Sequence, residues 1–439
     1  MLLDHLTQLL GDKNRLCVAF SGGLDSTVLL HALVQLRASS MPHLQLRAVH
    51  VNHGLSAHAQ RWTESCREQC ECWQVDFLAL SVTVDARAGG VEAAARGARY
   101  QALDGNLQAG ETLLTAQHLN DQCETFLLAL KRGSGPAGLS SMSASTTLGA
   151  HALLRPLLYV EREKLEDYAR LHQLDWVEDD SNQNSRFDRN FLRLEVLPLL
   201  YQRWPHFAAA TARSAILCAE QESLLDELLQ EGLEQLIDEK GSLSITGLQS
   251  LSAPRRFALI RRWLAIQGAK MPSREQLQRI WDEVATSQED AEPQLRLGEN
   301  SIRRFRQRLY WLRPMQSLKE TVLDWAGDKP LDLPDGLGTL TLDNSAQQGQ
   351  WVRKPYANET LSVRFHARGY LHIVGRDRSR PIKKLWQELN VPPWERERIP
   401  LIFYNEKPIA AAGLFITHEA LTQGPQEARW SLLWKTESE

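Results

Sequence analysis

Residues 15–26 read RLCVAFSGGLDS, an apolar run that ends on two adjacent glycines between serines and passes at once into a helical pattern. Arg15 to Phe20 predicts a buried β-strand, and Ser26 to Arg37 (STVLLHALVQLR) repeats its apolar residues at helical spacing. Two glycines let the backbone approach a ligand closely, and the N–H groups at a helix start then point at one anion. Ser21, Gly22, Gly23, Leu24, Asp25 and Ser26 are therefore a candidate phosphate cradle, with the two serine hydroxyls as further donors. Asp25 is unsuited to touching phosphate and fits instead an orienting role or contact with a bridging Mg2+. A turn that merely joins strand to helix is the plain alternative, but it needs no paired serines and acid.

Working outward, Leu44 to Val51, Val75 to Val84 and Glu111 to Ala116 read as further strands, separated by helical patterns over Ala59 to Trp73 and Val91 to Leu107. This alternation predicts an α/β fold, a doubly wound parallel sheet that takes its ligand at the C-terminal edge of the strands. Helices are expected over Asp121 to Arg132 and Val160 to Leu171, with RGSGPAGLSSM between them as a loop. A long amphipathic helix over Ala208 to Ile237 carries the chain away from the first domain. Helices follow to about residue 300, then a single strand over Ser301 to Leu312 and a linker at Arg313-Pro314. TLTLD, LSVRF and LHIVG beyond it suggest a small strand-rich unit. The expected division is a catalytic domain over 1–215, a mainly helical domain over 216–313 and a small α+β domain over 320–439.

Composition narrows the class. Among 439 residues, 43% are hydrophobic and 24% charged, which excludes a disordered chain. The net charge is -4, and residues 1–210 hold 19 basic and 23 acidic side chains, so any nucleic-acid-binding surface must be local. Six cysteines in so long a chain make no disulfide framework and suit a reducing cytosol. The start MLLDHLTQLLGDKNR lacks a basic segment before an apolar core, and no apolar run approaches the roughly 18 residues of a membrane span. A cytoplasmic protein is expected. A literal GxGxxG at Gly133, Gly135 and Gly138 follows a helix and contains Pro136, so it fails the dinucleotide context. No lysine follows Gly22 or Gly23 as a Walker loop requires. Cys66, Cys70 and Cys72 lack the paired spacing of a zinc site.

SGGLDS after the first strand resembles the PP-loop of the N-type ATP pyrophosphatases, which cleave ATP between its α and β phosphates. VHVNHGLS (49–56), EAAARGARY (92–100), TAQHLNDQCET (115–125), RGSGPAGL (132–139), DDSN (179–182) and RNFLR (189–193) narrow this. Together with the C-terminal VGRDRSRPIKKLWQELNVPPW they resemble the tRNA(Ile)-lysidine synthetases over essentially the whole chain. The resemblance implies adenylation of the wobble cytidine of an isoleucine tRNA by ATP, then displacement of AMP by the ε-amine of free lysine. It implies ATP and Mg2+, no membrane and a possible homodimer, with no metal ligands assigned firmly.

Asp121 and Glu124 are three apart at a helix start, so both project from one face. By resemblance Asp121 meets the cytidine or acts as base, and Glu124 holds the lysine ammonium; helix-dipole acids are the alternative. The family usually has two successive aspartates here, whereas this chain has Asn120, which keeps a hydrogen-bonding group and loses one charge. His118 precedes the pair, and His50 and His53 end the second strand beside the loop, as cleft residues or as tethers. Arg96 is either an intrahelical partner of Glu92 or, by resemblance, the receptor for the carboxylate of lysine. Asp121, Glu124, Arg96 and His118 are the candidate catalytic residues, and Ser21, Asp121, Glu124, Arg96 and RNFLR are expected to share one cleft.

For tRNA, the resemblance places Arg189 and Arg193 near substrate or ATP. Arg304, Arg306 and Arg308 are expected on one face of a strand, and Arg378, Lys383 and Lys384 in a basic cluster, with a merely solvated surface as the alternative. A thiolase of the same superfamily is the nearest rival, and no CxxC pair supports it. A noncatalytic nucleotide-binding or RNA-binding derivative is the second, supported by Asn120 alone.

Overall fold

The computed structural model describes residues 2–54, 58–83, 91–178, 184–288, 291–344, 349–422 and 428–436. The DDSN segment lies outside the described residues, as does the Glu92 side chain. The chain forms two compact units, Met1–Leu228 and Leu229–Glu439.

In the first unit, helix α1 (Leu2–Leu10) precedes β1 (Arg15–Ala19), α2 (Leu24–Ala38), β2 (Gln45–Asn52), α3 (Ala59–Cys72), β3 (Asp76–Ser81), α4 (Val91–Asp104), β4 (Thr112–Leu114) and α5 (Leu119–Lys131). A short helix α6 (Pro136–Leu139) lies inside the stretch read as loop, because Pro136 is preset for the first helical turn. Then come β5 (Ser145–Leu148), β6 (His151–Leu154) and α7 (Arg162–Leu171). The sheet order is β3-β2-β1-β4-β6-β5, parallel throughout except for the pair β5 and β6. From β1 the chain winds one way to β3 and returns to β4, so the order reverses between β1 and β4, where such sheets bind ligands.

Both faces of the sheet are covered. Leu16 and Val18 of β1 pack with α1, α2, α3 and α7, while Cys17 packs with Val49, Leu113, Leu153 and Leu103 of α4. The period of two along β1 thus sorts its residues onto the two layers. Arg47 of β2 meets the buried Glu111, just before β4, at 2.6 Å.

Helix α8 (Asp188–Phe191) continues into a π-helical turn over Leu192–Val196, then α9 (Leu197–Arg203) and α10 (Phe207–Glu234). In the second unit, Trp263, Leu259, Ile260, Leu277, Ile302 and Leu309 belong to one core, drawn from β7 (Leu243–Ser244), α11 (Ile245–Gln249), α12 (Ala253–Ile266), α13 (Arg274–Arg279) and a sheet. That sheet has the order β7-β10-β9-β8, with β8 at Gln294–Leu297, β9 at Asn300–Phe305 and β10 at Arg308–Leu312. The expected single strand over Ser301 to Leu312 is therefore a hairpin that turns at Arg306, whose φ is +54. A basic residue at every second position, Arg304, Arg306 and Arg308, continues through the turn and hid it.

Beyond the linker, one antiparallel sheet holds Val322–Asp324, Leu361–Arg364, Leu401–Tyr404, Lys407–Ala411 and Phe415–Ile416. A second holds Leu331–Asp332, Thr339–Asp343, Arg429–Lys435 and Gln350–Arg353, and helix α14 spans Ile382–Glu388. TLTLD and most of LSVRF are strands as expected. Of LHIVG only Leu371 is in a strand, paired with Arg380, because the chain there forms the base of the basic loop.

Candidate active site

The phosphate loop closes on itself. Ser26 Oγ accepts the Ser21 N–H at 3.2 Å, lies 3.0 Å from Ser21 Oγ and donates to the Gly23 carbonyl at 3.0 Å. Gly23 is the extended N-cap of α2 and makes no side-chain cap, so the first N–H groups of the helix are left for a ligand. Gly22 has φ +80, and a Cβ there would come within 2.6 Å of Cys66 Sγ, the buried thiol of α3. Gly22→Ala is expected to weaken ATP binding about tenfold by combining left-handed strain with that clash. Adding Cys66→Ala should recover part of the loss, and equal affinities in the single and double variants would show that the thiol is not the obstacle.

Two histidines end β2 beside the loop. His50 is 7% exposed, its Nδ1 donates to the Phe20 carbonyl at 2.9 Å, and burial pushes its pKa down. His53 receives Arg99 Nε and Nη2 at 3.2 Å each, and burial, then Arg99 and His50, lower its pKa from 6.5 to about 4. A depressed pKa gives stability that is full above 6.5 and lost as pH falls through about 4, since the unfolded chain binds the proton first. The urea midpoint should therefore fall further between pH 7 and pH 4 in the wild type than in His53→Asn; parallel falls would contradict this.

Across the switch point, α5 begins directly after β4. His118 is its N-cap and part of a capping box: its Nδ1 accepts the Asn120 N–H at 3.2 Å, and Asp121 Oδ2 accepts the His118 N–H at 3.0 Å. Asp121 and Glu124 are both buried, at 8% and 0% exposure. Arg193 forks between them, with Nε 2.7 Å from Glu124 Oε1 and Nη2 2.9 Å from Asp121 Oδ1. Arg189 adds a contact to Glu124 Oε2 at 3.9 Å and donates to Thr125 Oγ1 at 3.2 Å. Burial pushes the Glu124 carboxyl up from its usual range, against the pull of Arg193. Arg189 lies in α8 and Arg193 in the π-helical turn over Leu192–Val196 that continues it, and such turns mark functional sites often.

The two halves meet at Asp25, whose Oδ2 lies 3.7 Å from His118 Nε2 and 3.9 Å from Arg162 Nη1. Burial raises the Asp25 pKa, with His118 and Arg162 opposing. The structure thus brings together the Ser21–Ser26 loop, His118, Asp121, Glu124, Arg189 and Arg193. Arg96 is not joined to them by any hydrogen bond or ion pair among the described residues: it is exposed on α4, its guanidinium 5.4 Å from the Tyr100 ring centroid. Sequence reasoning missed Arg162, Arg99 and Tyr201, which takes a hydrogen bond from Asn120 Nδ2 at 3.3 Å. Nothing local to those three residues marked them.

The basic clusters of the second unit divide. Arg304 and Leu309 are register partners on the buried side, and the Arg304 guanidinium donates to the carbonyls of Ala285, Ser287 and Gln288. Arg308 faces the other way and pairs with Asp238 at 2.9 Å. The expected shared face of Arg304, Arg306 and Arg308 does not exist, since the hairpin separates them; Arg306 alone is exposed. Arg376 and Arg380 bind Glu388 at 2.7 and 3.6 Å, whereas Arg378, Lys383 and Lys384 are exposed.

Comparison with known proteins agrees with this geometry. Residues 2–200 match a family model described as a PP-loop domain, 243–310 one described as the TilS substrate binding domain, and 361–434 one described as the TilS substrate C-terminal domain. The tRNA(Ile)-lysidine synthase of Serratia proteamaculans is 61% identical over 99% of this chain and 98% of its own length. That of Pectobacterium atrosepticum is 59% identical over 98% of each chain, and that of Edwardsiella ictaluri 57% identical over 98% and 97%. Such identity across whole chains, on a sheet whose switch point carries the phosphate loop and the acid helix, shows that this chain belongs to the tRNA(Ile)-lysidine synthase family.

Proposed function

We propose that the chain joins free lysine to C2 of the wobble cytidine of an isoleucine tRNA, converting ATP to AMP and pyrophosphate by way of a cytidine adenylated on its C2 oxygen. The product reads AUA in place of AUG. One observation carries the reading: a phosphate cradle and two buried carboxylates face each other across Asp25 and His118 at the sheet's switch point.

The residues divide the work. Ser21, Gly22, Gly23, Leu24 and Ser26 would hold the pyrophosphate leaving group by backbone N–H and hydroxyl donors. Arg189 and Arg193 would offset charge as it builds on the α-phosphate or on the cytidine. Asp121 and Glu124 already accommodate a cation, the Arg193 guanidinium, which supports a place for the lysine ammonium between them. Asp121 would take the proton that the attacking amine gives up. Arg96, exposed and without an ion pair among the described residues, is assigned to the carboxylate of lysine. His50 and His53 would border the nucleotide.

The donor set fits Mg2+ bound together with phosphate. Asp25 Oδ1 is buried and has no partner, while no three His, Cys, Asp or Glu side chains among the described residues are grouped to hold an ion alone. Bound there, Mg2+ would neutralise phosphate charge. Residues 216–313 and 320–439 would hold the tRNA, with Arg306, Arg378, Lys383 and Lys384 as phosphate contacts. All six cysteines are free, which supports a reducing cytoplasm.

The test is AMP release by the purified protein with ATP, Mg2+ and isoleucine tRNA bearing a wobble cytidine, with and without lysine. Lysine-dependent AMP with lysine joined to the tRNA is expected. Tight binding of ATP and tRNA without AMP would favour a noncatalytic derivative, and Asn120→Asp would then be the next variant.

A further inference from the structure

We propose that His118 is a positioning residue whose ring, held in one tautomer by the helix cap, fastens the phosphate loop to the acid helix. The inference rests on the proposed function for its reaction readout, and on geometry alone for its mechanism. Nδ1 accepts the Asn120 N–H at 3.2 Å, so that nitrogen bears no proton. The ring proton is therefore on Nε2. This second nitrogen is buried, and no hydrogen-bond partner meets it. What it faces is Asp121 Oδ2 at 3.5 Å and Asp25 Oδ2 at 3.7 Å, one oxygen from each half of the site. Both distances are a few tenths longer than a hydrogen bond, as is common before a substrate closes such a site.

A ring with its first nitrogen engaged as a cap has one orientation. Its second nitrogen then offers a single N–H to two carboxylates on separate elements, α2 and α5. Movement of either element away from the other lengthens that contact, so the ring holds the spacing between pyrophosphate cradle and acids. The same Asp25 oxygen also lies 3.9 Å from Arg162 Nη1, and the Arg162 backbone N–H donates to Asn120 Oδ1 at 3.3 Å. The links thus run from loop to ring to α5 and back through the start of α7.

The two nitrogens separate experimentally, because different amides imitate each. His118→Asn keeps an oxygen where Nδ1 caps α5 and has nothing that reaches Asp25. His118→Gln carries an N–H out to the Nε2 position and is a poor cap. In His118→Asn we expect thermal stability close to wild type, Mg2+-ATP affinity lowered about fivefold and kcat lowered about thirtyfold, with KM for lysine unchanged. In His118→Gln we expect lower stability but turnover and ATP affinity nearer to wild type. The order of the two variants in stability is then opposite to their order in turnover. A purely structural role predicts that turnover follows stability, and that result would overturn the proposal. A general base at His118 predicts that both variants lose turnover and the same limb of the pH–rate profile with ATP affinity intact, which would overturn it as well. If even the wild type makes no lysidine, the proposed function fails, and the ATP affinities of the two variants still decide the role of the ring.

Discussion

Asp121→Asn is expected to lower kcat for lysidine formation by about 10²- to 10⁴-fold while changing the Kd for ATP less than about threefold. The substitution is nearly isosteric, and its remaining oxygen can still accept the His118 N–H that closes the cap. What it removes is a charge: Asn presents an N–H to Arg193, donor against donor, where Asp presents a carboxylate at 2.9 Å. In the proposed reaction it would also remove the acceptor for the proton of the attacking amine. The hydrogen bonds that shape the Ser21–Ser26 loop, among Ser21, Gly23 and Ser26 and from Val177 N–H to the Gly22 carbonyl, do not involve Asp121. Single-turnover rates with an ATP titration check this. Parallel loss of ATP affinity would move Asp121 to a nucleotide-binding role.

The second large effect is on stability as well as turnover. Arg193→Met is expected to stop the reaction and to cost about 3–5 kcal/mol, because it leaves Glu124 fully buried with only Arg189 nearby, at 3.9 Å. For a domain of this size that is a fall in Tm of roughly 10 °C. Glu124→Gln in the same chain removes the stranded charge, so the double variant should regain most of the Tm and none of the turnover. A double variant no more stable than Arg193→Met would mean that the pair is not the source of the loss.

The parts of this site that the sequence shows are those fixed by short-range rules. A strand ending on Gly22-Gly23 before a helix needs only the twelve residues 15–26 to be read, and the spacing of Asp121 and Glu124 needs only the period of one helix. Their approach follows from topology, since alternating strands and helices imply a switch point. Arg189 and Arg193 come from a segment about 70 residues away in sequence, and only the family resemblance pointed to them. Arg162 reaches Asp25 from the first residue of α7, and its sequence neighbours say nothing of it. In α4 the resemblance chose Arg96, whereas the arginine that touches a site histidine is Arg99, one helical turn further on. Arg304 and Arg308 were read as one cationic face because a two-residue turn preserves the alternation of a strand while reversing its direction.

The π-helical turn at Leu192–Val196 has a consequence for how this chain tolerates change in length. A turn of this kind is a one-residue insertion absorbed without breaking the helix. Excising one residue from 194–196 would restore ordinary α-helical winding and swing Arg193 by about 100° relative to the helix that follows. Its fork would then leave the carboxylates. A frame-preserving deletion of a single codon there, harmless to helix content, should be as damaging to the reaction as loss of the arginine itself, so natural length variation is expected to accumulate elsewhere.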